Sequence, residues 1–430
     1  MNTDLIDVLD IGIPLILLGL VTLSLMVHRE FGPFAGLGSG GKWLLTGAFG
    51  MGILAFSLKM AVAFALTRMP ENTIAPLLAA AQRPSDPDRE SDFSSFDNLG
   101  YPSGRYVWQA LPERAPEPAD NPSTPEKIAL GKRLFFETRL SGDGTLSCSS
   151  CHDLTAKAGG DGRRTALGIA DQRGERNTPT VWNAAFQSVL FWDGRARSLE
   201  EQAGGPILNP IEMGLPSAAL AERRLAADAS YRAAFARAFD GDRRISFARI
   251  TQAIAAYERT LVTPDAPFDR FVRGDSTALS QAQIRGMTLF ESTGCILCHR
   301  GPNFSDAGLL GGQNPKRLFP ANATPYEQKY KLLLPGDVRG SWRVASLRNV
   351  ALTGPWLHNG SVDKLEEVVR IMASAQLGRS GNFMAWLNPD SALGKLDRSP
   401  LDDQQVADLV AFLKSLSSEQ LLAKAERDTR

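Results

Sequence analysis

All four cysteines of this 430-residue chain fall in two copies of one arrangement, and each copy ends in histidine. The first is Cys148, Cys151 and His152 in TLSCSSCHDL; the second is Cys295, Cys298 and His299 in GCILCHR. A Cys-x-x-Cys pair can be a redox dithiol, half of a zinc site or, with histidine directly after it, an attachment point for c-type haem. Ribbon-type zinc sites hold their pairs about 15–20 residues apart, whereas 143 residues separate Cys151 from Cys295. A redox dithiol gives no reason for a histidine after both pairs. The chemistry these residues point to is covalent attachment of two haems through Cys148, Cys151, Cys295 and Cys298, with His152 and His299 as proximal iron ligands.

Haem chemistry then depends on the sixth iron position: a strong second ligand makes an electron-transfer centre, and an open position admits peroxide or oxygen. The chain has four histidines, His28, His152, His299 and His358, so none lies between the two motifs to cap the first iron locally. For the second iron the candidates are His358, in PWLHNGS, and a methionine. Most methionines are core packing, but Met372 follows the second motif at a cytochrome-like interval. A His/Met pair would raise that haem's potential and suit it to accept electrons.

The elements that must position these groups also come in pairs. A G-x-x-L-F sequence precedes each motif, at Gly131-Leu134-Phe135 and Gly286-Leu289-Phe290, and Ile284, Met287 and Phe290 keep helical spacing. Each half closes with a helix pattern. Ile250, Ile254, Tyr257 and Leu261 form one stripe, and Val406, Leu409, Val410 and Leu413 form the other. The second opens with Ser399 as N-cap, Pro400 in the first turn and Asp402 as a capping-box acid. Alternating strand patterns are scarce. The expected fold is mainly α, with two cytochrome c-like domains in tandem, at 121–275 and 276–430.

Two apolar runs stand ahead of these domains, at 11–27 and at 43–66, the second interrupted only by Lys59. Their lengths suit spanning helices. Three acids and no base lead into the first run, which argues against a cleaved signal peptide. The sequence therefore predicts a two-helix anchor over 1–70 in the inner (cytoplasmic) membrane, with the loop carrying Arg29 and Lys42 in the cytoplasm and the haem domains in the periplasm. Residues 71–120, rich in Pro, Asp, Ser and Glu, read as a flexible linker. With 47 basic and 47 acidic residues the chain has no net charge, so nucleic acid is not an expected partner.

From about Thr124 to Leu416 the sequence resembles the bacterial dihaem cytochrome c peroxidase family, including its protein-oxidising relatives of the methylamine dehydrogenase maturation type. The stretches that carry the resemblance are LGKRLFFETRLSGDGTLSCSSCH, RNTPTVWNAAFQSVLFWDGRARSLEEQAGGPILNPIEM, TLVTPDAPFDRFVRGD, SLRNVALTGPWLHNGSVDKLEEVV and IMASAQLG. The resemblance implies a peroxidatic N-terminal haem and an electron-transfer C-terminal haem with His/Met ligation, and its IMASAQLG stretch selects Met372 over His358. It implies Trp192 on the electron path between haems, Glu212 as the acid–base group in the peroxide pocket and Gln202 as its polar neighbour. It also implies one calcium ion held by Asn177, Thr353 and Pro355, and a possible homodimer.

Conventional members of that family carry a histidine in the loop after the first motif. Here that loop, DLTAKAGGDGRRTALGIADQRGERNTPTV, has none, as in the protein-oxidising relatives. Those relatives that make a tryptophan-derived cofactor use tyrosine on the second haem, where this chain has Met372. Two activities follow as expectations. One is a peroxidase reducing hydrogen peroxide to water with electrons from a small cytochrome c or quinol-linked carrier. The alternative is a protein-modifying oxidase using a high-valent iron state to oxidise aromatic residues of a partner protein. A bare electron carrier is disfavoured by Glu212, Gln202 and the uncapped first iron.

Overall fold

A computed structural model of the chain describes residues 107–377 and 401–428, and these are mainly helical. In chain order the elements that matter to the site are α1 (Pro125–Phe135), α2 (Leu199–Leu208), α3 (Ala218–Ala226), α4 (Ala229–Ala238), α5 (Phe247–Glu258) and α6 (Gln281–Ser292), followed by β1 (Lys316–Phe319), β2 (Gly340–Arg343), α7 (Leu365–Met372) and α8 (Asp403–Ser415). Among the described residues the one sheet is the antiparallel pair β1–β2, with Lys316 opposite Arg343 and Phe319 opposite Gly340.

Two crossed helix pairs organise the chain, α1 against α5 and α6 against α8. The G-x-x-L-F glycines explain how closely they cross. A Cβ on Gly131 would lie 1.8 Å from the Ala253 carbonyl oxygen, and one on Gly286 would lie 1.9 Å from that of Asp408. Only a residue without a side chain lets the two backbones meet at this distance. Leu134 and Phe135 on α1, with Ile250, Ile254 and Tyr257 on α5, are buried in one core, to which α3 and α4 add Leu225, Tyr231 and Phe235. Met287 and Phe290 on α6, with Val406, Leu409, Val410 and Leu413 on α8, are buried in a second.

Local signals set the helix ends. The Thr124 hydroxyl caps α1 by accepting from the Lys127 N–H at 3.2 Å, with Pro125 in the first position. On α6, Ser280 and Gln283 cap each other reciprocally. Asp402 is itself the N-cap of α8 and shares a capping box with Gln405, at 2.7 and 3.1 Å. The acid expected inside the first turn thus does the capping that the sequence assigned to Ser399, and Ser399 and Pro400 lie outside the described residues.

Residues 107–120, expected to be the end of a flexible linker, are instead packed. Trp108 meets Phe268, Phe290, Phe304 and Phe412 edge-on or tilted. Leu111 is fully buried, and its N–H donates to the Asp269 carboxylate at 2.8 Å. That carboxylate also pairs with the buried Arg348 at 2.9 Å. Two large apolar side chains and a backbone N–H with a buried acceptor outweigh a proline-rich composition. Residues 71–106 lie outside the described residues.

The expected inner-membrane location is corrected. Among the described residues no helix is long and apolar enough to cross a membrane. The runs at 11–27 and 43–66, on which the two-helix anchor rested, lie outside the described residues.

Candidate haem-binding and peroxide site

Each Cys-x-x-Cys-His motif folds as one tight turn that swings its histidine inward. The His152 N–H donates to the Cys148 carbonyl at 2.9 Å, and the His299 N–H to that of Cys295 at 3.0 Å. Each imidazole is then fixed through Nδ1, His152 against the Gly159 carbonyl at 2.9 Å and His299 against that of Phe304 at 3.0 Å. A ring whose Nδ1–H is committed to a carbonyl presents a neutral Nε2 lone pair, the state an iron ligand needs. Burial favours that state too, lowering the acidity range of both rings.

A cavity of about 850 Å³ is lined by both motifs. Around it stand Cys148, Cys151, His152, Cys298, His299, Met372, Gln202, Glu212, Trp192, Asn177, Thr353 and Pro355. Cys295, the remaining attachment residue, packs against the second core. All thirteen residues expected from the sequence are thereby in or beside one space, although they span 225 positions, from Cys148 to Met372.

The residues fit c-type haem better than the alternatives. The thiols are free, so neither pair is a disulfide. Burial pushes the Cys148 thiol up to about 12 and that of Cys151 up to about 11, the opposite of what a redox thiolate requires. Among the described residues no group of three or more His, Cys, Asp or Glu could hold a metal ion, which removes the Cys₄ zinc reading.

On the first motif's side, α2 carries Gln202, and the loop after it carries Glu212. Ser198 caps α2 by accepting from the Glu201 N–H at 3.1 Å, and Pro206 lies within the helix. The loop returns to hold Glu212 in place. Its carboxylate accepts from the Asn209 side chain at 2.9 Å, and its carbonyl accepts from the Ile169 N–H at 2.7 Å. A Cβ on Gly168 would lie 1.9 Å from the Ile211 carbonyl oxygen, so this strand of loop can approach only as glycine. Burial raises the Glu212 carboxyl above the ordinary carboxylate range, against the opposing pull of Arg195 and Asn209. A carboxyl raised in this way is a better proton acceptor and donor than an exposed one.

Trp192 stands on the cavity wall. Its Nε1–H donates to the Asn177 carbonyl at 2.8 Å, and its own carbonyl accepts from the Arg343 N–H at 2.7 Å. Its ring meets the edge of His358 with centroids 6.4 Å apart. His358 is not directed to a separate ligand role by its surroundings: it lies flat against Trp342, centroids 4.3 Å apart and planes 16° from parallel. Met372 ends α7 and leads into a π-turn at Ala373–Leu377, an irregularity common at functional positions. The expected calcium residues Asn177, Thr353 and Pro355 all line this cavity. Asn177 donates its amide to the Arg163 carbonyl at 2.9 Å, and its N–H donates to the His358 carbonyl at 2.9 Å.

Four contributors escaped the sequence reading: Asn209, Trp342, Arg343 and the buried Glu258, which also line or support the cavity. Asn209 sits three residues before Glu212, a spacing that a search for hydrogen-bond partners could have singled out. The other three carry no local mark.

Comparison with known proteins agrees with this architecture. The family model for di-haem cytochrome c peroxidase matches residues 125–277. The chain is 39% identical to the cytochrome c551 peroxidase of Pseudomonas aeruginosa over 73% of this chain and 85% of that protein. It is 36% identical to the methylamine utilization protein MauG of Methylophilus methylotrophus, over 73% and 89%. A crystal structure of a MauG-like protein associated with microbial copper homeostasis is similar at 34% identity with a TM-score of 0.59, covering 75% of this chain and 99% of that one. Paired haem motifs, an acid held beside the first and relatives of this identity and coverage lead to one conclusion: the chain belongs to the di-haem cytochrome c peroxidase family, which includes the MauG-type proteins, and is a peroxidase-type oxidoreductase whose family implies two c-type haems.

Proposed function

We propose that the chain reduces hydrogen peroxide to water with two electrons from a cytochrome c or similar donor, entering at the C-terminal haem and passing to the N-terminal one. The observation that carries this reading is one cavity lined by both motifs together with Trp192 and Glu212. In this reading Cys148, Cys151 and His152 hold the peroxidatic haem, and Cys295, Cys298, His299 and Met372 hold the electron-transfer haem, each in its own helical half. When bound, the haems supply an iron position for peroxide and a store for single electrons.

The protein's own groups do the rest. Reduction of one peroxide to two waters takes up two protons and two electrons, and cleavage of the O–O bond is eased when a proton is carried from one oxygen to the other. Glu212 accepts and returns that proton, Asn209 keeps its carboxyl oriented, and Gln202 offers a neutral hydrogen-bonding side chain on the same wall. Trp192, fixed at both its Nε1–H and its carbonyl, keeps a conjugated ring at constant position on the electron path. Asn177, Thr353 and Pro355 would hold calcium by oxygen atoms, the ligand type that ion takes.

Oxidation of a partner protein's aromatic residue is the second reading, favoured by the absence of histidine between His152 and His299 and by the likeness to MauG. Rapid mixing of the fully oxidised holoprotein with one equivalent of hydrogen peroxide tests both. Immediate loss of a high-spin ferric band, with return hastened by reduced cytochrome c, is the expected result. Return hastened only by a candidate protein substrate would replace the first reading with the second. Absence of any spectral change until one haem is reduced would overturn the open first iron.

A further inference from the structure

Arg343 ends β2 inside the cavity wall and is 8% exposed. It grips the peptide on either side of Trp192: its backbone N–H donates to the Trp192 carbonyl at 2.7 Å, and its Nε–H donates to the Phe191 carbonyl at 3.0 Å. The two terminal amino groups of its guanidinium remain for something else. Two other arginines on this wall have acids close by. Arg195 pairs with Asp193 at 2.9 Å, and Arg317 pairs with the buried Asp306 at 2.5 Å. Among the described residues no carboxylate pairs with Arg343. Burial alone therefore acts on it, pulling its ordinary value down to about 10.

A guanidinium stays charged in a protein, and a desolvated charge without a counter-ion is strongly unfavourable. The cavity must supply the anion. The acids that share the wall are otherwise engaged: Glu212 with Asn209, Asp193 with Arg195, and the exposed Glu175 with Arg176 at 4.0 Å. Glu258 is buried on α5, and burial raises its carboxyl to about 8, so it is held largely neutral. Haem carries two carboxylate side arms, and the planar guanidinium fork matches a carboxylate in two parallel hydrogen bonds.

We propose that Arg343 is the counter-ion of a haem carboxylate in this cavity, anchoring that haem and raising its reduction potential. The proposal rests on the two-haem reading. A cation beside the carboxylate offsets negative charge that would otherwise favour the oxidised, more positive iron. Arg343 is a positioning residue in this role, since it acts through the haem and through the backbone of Trp192.

The test is a spectroelectrochemical titration of the two-haem protein and of its Arg343→Met and Arg343→Lys variants, with haem content measured on each sample. No peroxide enters the experiment, so its outcome is independent of the peroxidase reading. In Arg343→Met the reduced-to-oxidised ratio of one haem at fixed potential should fall at least tenfold, about 59 mV for a one-electron couple. That haem should also become pH-dependent between about pH 5 and 8, because a buried carboxylate without its cation takes up a proton. Arg343→Lys should keep the ratio within about threefold of the parent, since charge is retained. Potentials in Arg343→Met equal to the parent's would overturn the proposal. So would an equally large change in Arg343→Lys, which would mark a packing effect. A parent potential that moves when chloride is exchanged for a bulky, weakly binding anion at constant ionic strength would assign the site to a mobile anion and equally refute it.

Discussion

Replacing Gly131 or Gly286 by alanine tests whether the two helix crossings hold the haem motifs in place. At Gly131 the added Cβ would sit 1.8 Å from the Ala253 oxygen, 2.6 Å from its carbon and 2.9 Å from the Tyr257 Cβ. At Gly286 the corresponding distances are 1.9 Å and 2.6 Å to Asp408 and 2.8 Å to the Phe412 Cβ. Ordinary contact begins near 3.4 Å, so each helix must withdraw by about 1.5 Å from backbone that cannot swing aside. Overpacking of this kind costs about 1–3 kcal/mol, and contact with backbone places it at the upper end. Alanine's better helix propensity returns about 1 kcal/mol. The net loss is about 2 kcal/mol, or roughly 4–8 °C in midpoint for a region of this size. Calorimetry of the holoprotein measures the loss, and the haem spectra locate it. Gly131→Ala should perturb the haem on Cys148 and Cys151, and Gly286→Ala the haem on Cys295 and Cys298. A rise in stability from either substitution would show propensity winning over packing and would refute the close crossing.

The remaining predictions concern single carboxylates. Glu212→Gln keeps the shape but removes the proton acceptor. Reaction with peroxide should slow by at least about 100-fold, with both haem spectra unchanged and the acid limb of the pH profile lost. An unchanged rate would remove Glu212 from the chemistry. Glu137 is a stability group: burial would raise its carboxyl, but hydrogen bonds from Arg139 and Tyr231 outweigh that and hold it at about 2. A carboxyl lower in the folded than in the unfolded chain stabilises above the unfolded value near about 4.3 and loses that contribution as pH falls toward 2. Glu137→Gln should therefore cost about 2 kcal/mol at pH 7 after allowance for screening, and much less at pH 3. Denaturant midpoints at the two pH values read the difference, and an equal loss at both would refute the linkage.

The sequence exposed what is repeated or covalently special. Cysteine spacing marked both attachment turns, and helical periodicity marked α5, α6 and α8, because their stripes are local properties of one helix. The glycine in each G-x-x-L-F was visible as a pattern, but its reason was not. That reason is a backbone more than 120 positions away in each half, Ala253 for Gly131 and Asp408 for Gly286. The same limit hid the anchoring of residues 107–120. Their composition is that of a linker, and only the acceptor Asp269, 158 positions later, makes Leu111 a buried residue.

Arg343 shows why the site was less legible than the fold. In GSWRVAS nothing distinguishes it from the chain's many surface arginines. Its position at the end of β2 buries it, and β2 is placed by pairing with β1 and by the hydrogen bond from Arg343 to Trp192. A buried cation is therefore created by tertiary structure and then demands a partner that no carboxylate among the described residues provides. Glu212 is the converse case. The family's motif selected it, but the motif does not say why a carboxyl there should be raised above its ordinary value. Burial supplies that reason, against the opposing pull of Arg195 and the Asn209 amide. Groups in a haem cavity are set by what surrounds them, so residue type nominates a candidate and the desolvated environment decides its charge.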